Sequence, residues 1–192
     1  MLNFAYQEHV RSYYFDSRNQ DFQFPPLTQI EHADVCVIGA GFFGLSAALE
    51  LAEKGKKVIV LEGARVGFGA SGRSGGQAIN GFEEGIDEYV KQVGEDKAHK
   101  LWNMSLEAID IIDERIEKYG IQCDWKKGYA TLALNERRMD DLIEIEKESH
   151  ENFGYQNMQL WDKAKLKQHL GSDIYVGGLF DSNSGHLHPL NY

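Results

Sequence analysis

The sequence predicts an α/β fold, and three observations carry that prediction. A short apolar run, Val35 to Ile38, leads directly into Gly39-Ala40-Gly41-Phe42-Phe43-Gly44. An amphipathic helical pattern follows, and a second apolar run, Lys57 to Leu61, ends on Glu62. Strand, glycine turn, helix, strand and acid in one βαβ unit form the fingerprint of an adenine-dinucleotide site on a Rossmann-like domain.

Each element of that unit has a physical role. Gly39 permits the tight turn out of the strand, Gly41 lets a pyrophosphate approach the backbone, and Gly44 lets the helix pack closely on the sheet. The helix start offers unpaired N–H groups and the positive end of its dipole to phosphate. Leu45, Ala48, Leu49 and Ala52 recur at helical spacing and predict one face turned to a sheet. Gly55 stands where a helix C′ residue belongs. Glu62 follows Gly44 by 18 residues, near the spacing of about 20 at which an acid meets the ribose hydroxyls. Its charge repels a 2′-phosphate, which disfavours NADP.

The segments around this unit are read in chain order. Residues 1–33 carry seven aromatics (Phe4, Tyr6, Tyr13, Tyr14, Phe15, Phe22, Phe24) and predict an arm packed on the body, with a short helix around Gln7 to Phe15. Five of the eleven residues from Gly67 to Gln77 are glycine. They stand at the carboxyl edge of the second strand, where such folds bind ligands, so the stretch reads as a ligand-wrapping loop rather than a linker. Asp96 to Tyr119 reads as a long helix with an apolar stripe of Leu101, Met104, Ala108, Ile112 and Ile116, stopped by Gly120. Tyr129 to Leu134 reads as a strand. Glu136 to Phe153 reads as a charged helix burying Met139, Leu142 and Ile145, with its charges a solvated face. Asp162 to Leu170 reads as a short helix and Ile174 to Phe180 as a strand.

Composition narrows the function. Hydrophobic residues at 42% and charged residues at 26% place the 192-residue chain among globular proteins. Thirty acids against twenty lysines and arginines give a net charge of −10, which argues against a nucleic-acid partner. Cys36, inside an expected buried strand, and Cys123 read as reduced core or near-core thiols of a cytoplasmic protein, without metal spacing. No signal peptide is read at the start. The longest uncharged stretch, Val35 to Leu49, falls short of a membrane span. His186 and His188 would share a face if extended, but a metal site needs three or four placed ligands, so they read as polar loop residues.

With these residues in view, the chain resembles the FAD-dependent D-amino-acid, glycine and sarcosine oxidase superfamily, and within it the bacterial gamma-glutamylputrescine oxidase group. The likeness rests on Gly39 to Gly44, Glu62, the run Arg65-Val66-Gly67-Phe68-Gly69-Ala70-Ser71-Gly72-Arg73-Ser74-Gly75-Gly76-Gln77, Ser12-Tyr13-Tyr14 and Gly185-His186-Leu187-His188-Pro189. It covers the N-terminal half of such proteins.

The resemblance implies a glutathione-reductase-type, Rossmann-like FAD-binding domain with the start of an inserted β-sheet substrate domain. It implies an arm at 1–33, the first part of the FAD domain at 34–120, the beginning of the substrate domain at 121–184 and a return toward the FAD domain at 185–192. It also implies FAD contacts at Gly39, Gly41, Phe42, Phe43, Gly44, Glu62, Gly63, Arg65, Ala70, Ser71, Arg73, Ser74, Gly75, Gly76 and Gln77. Similar proteins often carry Asn where Ser74 stands; Ser keeps a donor and an acceptor on a shorter arm. No catalytic residue is assigned, and the substrate implied is a small amine. The expected reaction is oxidation of a C–N bond with hydrolysis of the resulting imine. A nicotinamide-dependent dehydrogenase would share the first glycine motif but leaves the second loop unexplained. A fragment that binds FAD or a partner chain without turnover would also fit these residues, as would a truncated chain that folds poorly.

Overall fold

The computed structural model describes residues 8–82 and 85–192. The chain folds as two compact units. The first comprises residues 1–76, 121–123 and 188–192, and the second comprises residues 77–120 and 124–187. The expected domain limits and these units divide the chain differently, because the long helix before Gly120 belongs with the later strands.

In the first unit, β1 (Val35–Ile38) and β2 (Val58–Leu61) pair in parallel, with Val35 opposite Val58 and Ile38 opposite Leu61. Helix α2 (Phe42–Glu53) makes the crossover. A Cβ at Gly44 would overlap the carbonyl oxygen of Gly39 and stand 3.3 Å from Val37 Cγ1. Only hydrogen fits there, which is how the third glycine of the motif sets the helix-to-strand distance. The buried face of α2 holds Gly44 and Ala48, while Leu45 and Ala52 are exposed. The expected stripe is therefore rotated toward the glycine, because close backbone approach, not side-chain bulk, makes this contact.

Cys36 corrects a second expectation. Burial along β1 alternates, and Cys36 and Ile38 are exposed, Ile38 at 88%. Val37 faces α2; no described residue of the unit covers the opposite face. An apolar run reads as buried on both sides, whereas burial along this strand alternates residue by residue.

The arm contributes α1 (Tyr13–Asp16), capped by Ser12, whose side chain accepts the Phe15 N–H. The helix is shorter and later than expected; Phe4, Tyr6 and Gln7 lie outside the described residues. The arm is tied down at several points within its unit. His9 meets the Val66 carbonyl at 3.2 Å, Asn19 N–H donates to Asn191 Oδ1 at 2.8 Å, and Asn19 Nδ2 donates to the Gln122 carbonyl at 2.5 Å.

The second unit is an antiparallel sheet with helices. Strand β6 (Gly177–His186) is central. It pairs along its length with β4 (Lys126–Ala133). Its other edge takes β5 (Met158–Asp162) near its start and β3 (Gln77–Ala78) near its end. Three glycines in β6 answer close neighbours: a Cβ would meet Met139 Sδ at Gly177, the Thr131 carbonyl at Gly178 and the Lys126 carbonyl at Gly185. Helix α5 (Glu136–Phe153) has Asn135 as its N-cap. Leu142 packs with Ala133 and Leu179, bordered by Met139, Met158 and Val176.

Helices α3 (Ile86–Val93) and α4 (Glu95–Tyr119) meet at Gly94, and Gly120 ends α4 in the left-handed region. The buried face of α4 is Ala98, Trp102, Ser105 and Ile109, whereas Met104 is 59% exposed. The expected stripe ran through Leu101, Met104, Ala108, Ile112 and Ile116, of which Met104 and Ala108 are exposed; tertiary packing selected a neighbouring face containing a serine and an indole. Helix α6 (Lys163–Lys167) starts on its Asp162 cap. Strands β3 and β5 and helix α3 were not expected. The last strand runs to His186 rather than Phe180, because its polar residues are paired by neighbours rather than by water. Among the described residues no helix is long and apolar enough to cross a membrane.

Candidate functional site: a glycine cradle in the first unit

The cradle is built where β1 ends, α2 begins and β2 ends. Gly39 has φ of +100° and open space where a side chain would stand, so only glycine makes this turn without strain. Gly41 is the N-cap of α2 and supplies no side-chain acceptor to the first turn. Ser71 supplies one from across the loop: its Oγ accepts the Phe42 N–H at 3.0 Å. A Cβ on Gly41 would stand 2.8 Å from that hydroxyl, so Gly41 is also the space Ser71 occupies.

Glu62 closes the other side. One carboxylate oxygen accepts the Ala40 N–H at 2.7 Å and the other accepts the Ala64 N–H at 3.0 Å. Each oxygen keeps acceptor capacity, and the side chain remains exposed. A rigid acid with free lone pairs beside a glycine turn and a helix N-terminus suits the ribose and pyrophosphate of a dinucleotide.

The second glycine loop folds against this turn. Gly67 N–H donates to the Ala40 carbonyl at 2.9 Å, and Gly72 N–H donates to the Gly67 carbonyl at 3.0 Å. A short 3₁₀ turn covers Ser71–Arg73. Gly72 is buried, and a Cβ there would overlap the Gly67 carbonyl and Leu190. Gly63 follows Glu62, and Ala70 leads into the 3₁₀ turn. Ser74 Oγ donates to the Ser71 carbonyl and accepts the Gly76 N–H, both at 3.3 Å. Gly75 is exposed and Gly76 is buried with φ of +67°. Gln77 opens β3 in the other unit.

The two arginines differ. Arg73 is exposed, donates to the carbonyls of Phe68 and Gly69, and lies over the Phe68 ring at 5.0 Å. Arg65 is 6% exposed and engages both Glu8 oxygens at 2.7 Å, with Asp21 at 3.7 Å. Its partners hold the arm against the loop. Asp21 is shifted below the ordinary carboxylate range by Arg18 and Arg65, against an opposing desolvation that is the largest single effect. Phe43 stands 90% exposed beside the cradle, while Phe42 packs edge-on to Tyr192 at 5.9 Å.

The two histidines part company. His186 is exposed at the end of β6 in the second unit. His188 is buried in the first unit. Its Nδ1 accepts the Asn191 N–H at 3.2 Å, its Nε2 faces Ser17 Oγ at 3.1 Å, and its ring meets Tyr14 edge-on. Since Nδ1 accepts, the proton sits on Nε2, and Ser17 passes its own hydrogen to the Tyr13 carbonyl at 2.6 Å. Among the described residues no group of three or more His, Cys, Asp or Glu is placed to hold a metal ion.

Sequence reasoning missed the Ser71 cap, the Ala40 amide's grip on Glu62 and the Glu8–Arg65 pair. Each joins residues 22 to 57 positions apart. Serine and arginine in a glycine loop signalled donors, but not what they would bind.

The probable oxidoreductase OrdL of Haemophilus influenzae is 97% identical over all 192 residues, which make up 44% of that protein. The gamma-glutamylputrescine oxidoreductase of Escherichia coli is 44% identical over 96% of this chain and 43% of its own length. The chain thus spans less than half the length of these relatives. Among solved structures, L-amino acid deaminase from Proteus myxofaciens superposes with a TM-score of 0.70 at 22% identity, over 91% of this chain and 37% of that one. Glycine oxidase from Bacillus cereus superposes at 0.59 and 19% identity, over 83% of this chain and 42% of that one. The family model for FAD dependent oxidoreductases matches residues 34–192, from the residue before β1 to the last residue, and the chain belongs to that family.

Proposed function

We propose that this chain binds FAD in the cradle of β1, α2 and β2, and that the protein it represents oxidises a C–N bond of a small amine or amino-acid-like substrate resembling gamma-glutamylputrescine. The observation that carries the reading is the placement of Glu62 against the Ala40 amide, beside a helix N-terminus whose N-cap is Gly41. In it Gly39, Gly41, Phe42, Phe43 and Gly44 receive the pyrophosphate, and Glu62 holds the adenosine ribose. Gly63, Arg65, Ala70, Ser71, Arg73, Ser74, Gly75, Gly76 and Gln77 line the remainder. When bound, the flavin supplies the hydride acceptor; the imine product is hydrolysed by water to an aldehyde or keto acid and an amine or ammonia. The chain's own residues orient the cofactor: the α2 N-terminus offers N–H groups, and the Ser71 hydroxyl holds the loop to the turn. The 44% identity to a gamma-glutamylputrescine oxidoreductase supports the substrate class. Both cysteines are free, which a cytoplasmic location accommodates.

The test is the visible absorption spectrum of the purified, desalted chain before and after addition of FAD. A retained flavin spectrum is expected. A chain that stays colourless and ignores FAD, in this form and when extended to its relatives' full length, overturns the reading. Bleaching of the bound flavin by gamma-glutamylputrescine under anaerobic conditions tests the substrate class.

A further inference from the structure

The second unit contains a cavity of about 440 Å³ bounded by residues 80–82, α3, α4 and α5. Its wall combines two surfaces. Asp87 of α3 and Asp141, Glu144 and Glu148 of α5 line it, and among its described lining residues there is no lysine, arginine or histidine. The rings of Phe82, Tyr89 and Trp102 also line it.

On α5 the three acids stand at i, i+3 and i+7, successive turns of one face, where like charges repel. The Glu148 carboxyl is pushed above the ordinary glutamate range by burial first, then by the charges of Asp87 and Glu144 and a hydrogen bond with Asp87. Arg138 reaches Asp141 at 3.3 Å on exposed surface. The remaining carboxylates favour a positive guest. A small metal ion does not suit them, since no described group of three acids converges for one. An organic cation does, because its larger body can lie on aromatic faces while acids surround it.

Trp102 gives an independent sign of a ligand. It is 7% exposed, and its Nε1 is buried without an acceptor among the described residues, whereas buried indole N–H groups ordinarily have one. The ring is held by Phe153 at 5.2 Å and, edge-on, by Tyr155 at 5.5 Å. The rim is equally set. Asn80 N–H donates to Ser184 Oγ at 3.2 Å, and Gly81 N–H donates to Ser105 Oγ at 2.9 Å, which donates to the Trp102 carbonyl at 2.7 Å.

We infer that this cavity binds a small aliphatic ammonium compound that also carries a neutral oxygen acceptor. The cation is held by Asp87, Glu144 and Glu148 against the Phe82 and Tyr89 rings, and the oxygen receives the Trp102 N–H. No residue of the glycine cradle lines the cavity, and the inference stands without the flavin reading.

The test titrates the full chain with aminopentanol, pentylamine and pentanediol, read by the NMR signals of the indole N–H groups. The amino alcohol is expected to bind and to move the Trp102 signal. Pentylamine is expected to bind about tenfold more weakly, the worth of one hydrogen bond, and the diol not at all. Replacing Glu144→Gln together with Glu148→Gln lowers amino-alcohol affinity at least tenfold, while Glu151→Gln, on α5 but outside the wall, leaves it unchanged. Trp102→Phe removes the preference for the amino alcohol over pentylamine. Equal losses in the Glu151 and Glu144/Glu148 variants reveal diffuse attraction to an acidic surface and overturn the inference. So does equal binding of all three compounds, or a Trp102 signal in the unaltered chain that never moves, the readout that decides if the Trp102 variant does not fold.

Discussion

Glu62 accepts the Ala40 N–H at 2.7 Å and so ties the end of β2 to the turn that leaves β1. The acid that the motif reserves for a ribose is held in place by the backbone it serves. Its orientation is set before a ligand arrives, which lowers the entropy cost of binding.

Replacing Glu62→Ala is therefore expected to weaken FAD at least tenfold and to cost about 1–3 kcal/mol of stability through the two orphaned amides. FMN, which lacks the adenosine half, is the control. Fluorescence titration should show its affinity unchanged, and an equal loss for both flavins would place the role of Glu62 elsewhere.

Gly44→Ala puts a methyl group into the Gly39 carbonyl, where backbone, not a movable side chain, is the obstacle. A loss of about 2–4 kcal/mol in urea unfolding is expected. Gly69→Ala, whose Cβ meets open space, should stay within about 0.5 kcal/mol of the unaltered chain.

Tyr155 donates to the buried Asp181 carboxylate at 2.7 Å, and Ser184 donates to its other oxygen at 2.6 Å. Tyr155→Phe should cost about 1.5–3 kcal/mol, the range for hydrogen bonds to charged groups. Burial first, then Asp181, raise the phenol above its ordinary value of 10.0. The protonated form is thus favoured by folding, and its contribution is complete below that value and falls as pH rises past it. Alkaline unfolding curves should be flatter in the phenylalanine variant.

Glu148 titrates with the same sign. Its folded pKa lies above the ordinary 4.5 because of burial and its acidic neighbours, so stability falls as pH rises from that value through the folded pKa. Glu148→Gln should remove this slope and leave the chain more stable at neutral pH. Thermal melts at pH 4 and pH 7 compare the two; an unchanged slope would mean that Glu148 is not its source.

The cradle was legible because its parts are local. Gly39, Gly41 and Gly44 lie within six residues, and the requirement on each concerns its own backbone or its neighbour's. Helix ends were equally legible at Asn135, Gly120 and Asp162, where one side chain or one left-handed glycine decides the boundary. The inward face of α4 was not, since Trp102 and Ser105 are turned inward by partners 24 to 53 residues away. Strands β3 and β5, of two and five residues, lack a pattern of their own and exist because β6 pairs with them.

The sequence alone determined the βαβ unit, its glycine turn, the acid after β2 and the family likeness, because each rests on short-range steric and hydrogen-bonding rules. Only the tertiary structure decided that Ser71 caps α2, that Arg65 is spent on Glu8 and Asp21, that Cys36 is exposed and that four acids meet three aromatic rings in one cavity. Those outcomes depend on which distant segments fold back to supply a partner or leave a face uncovered, and no local pattern in the chain encodes that distance.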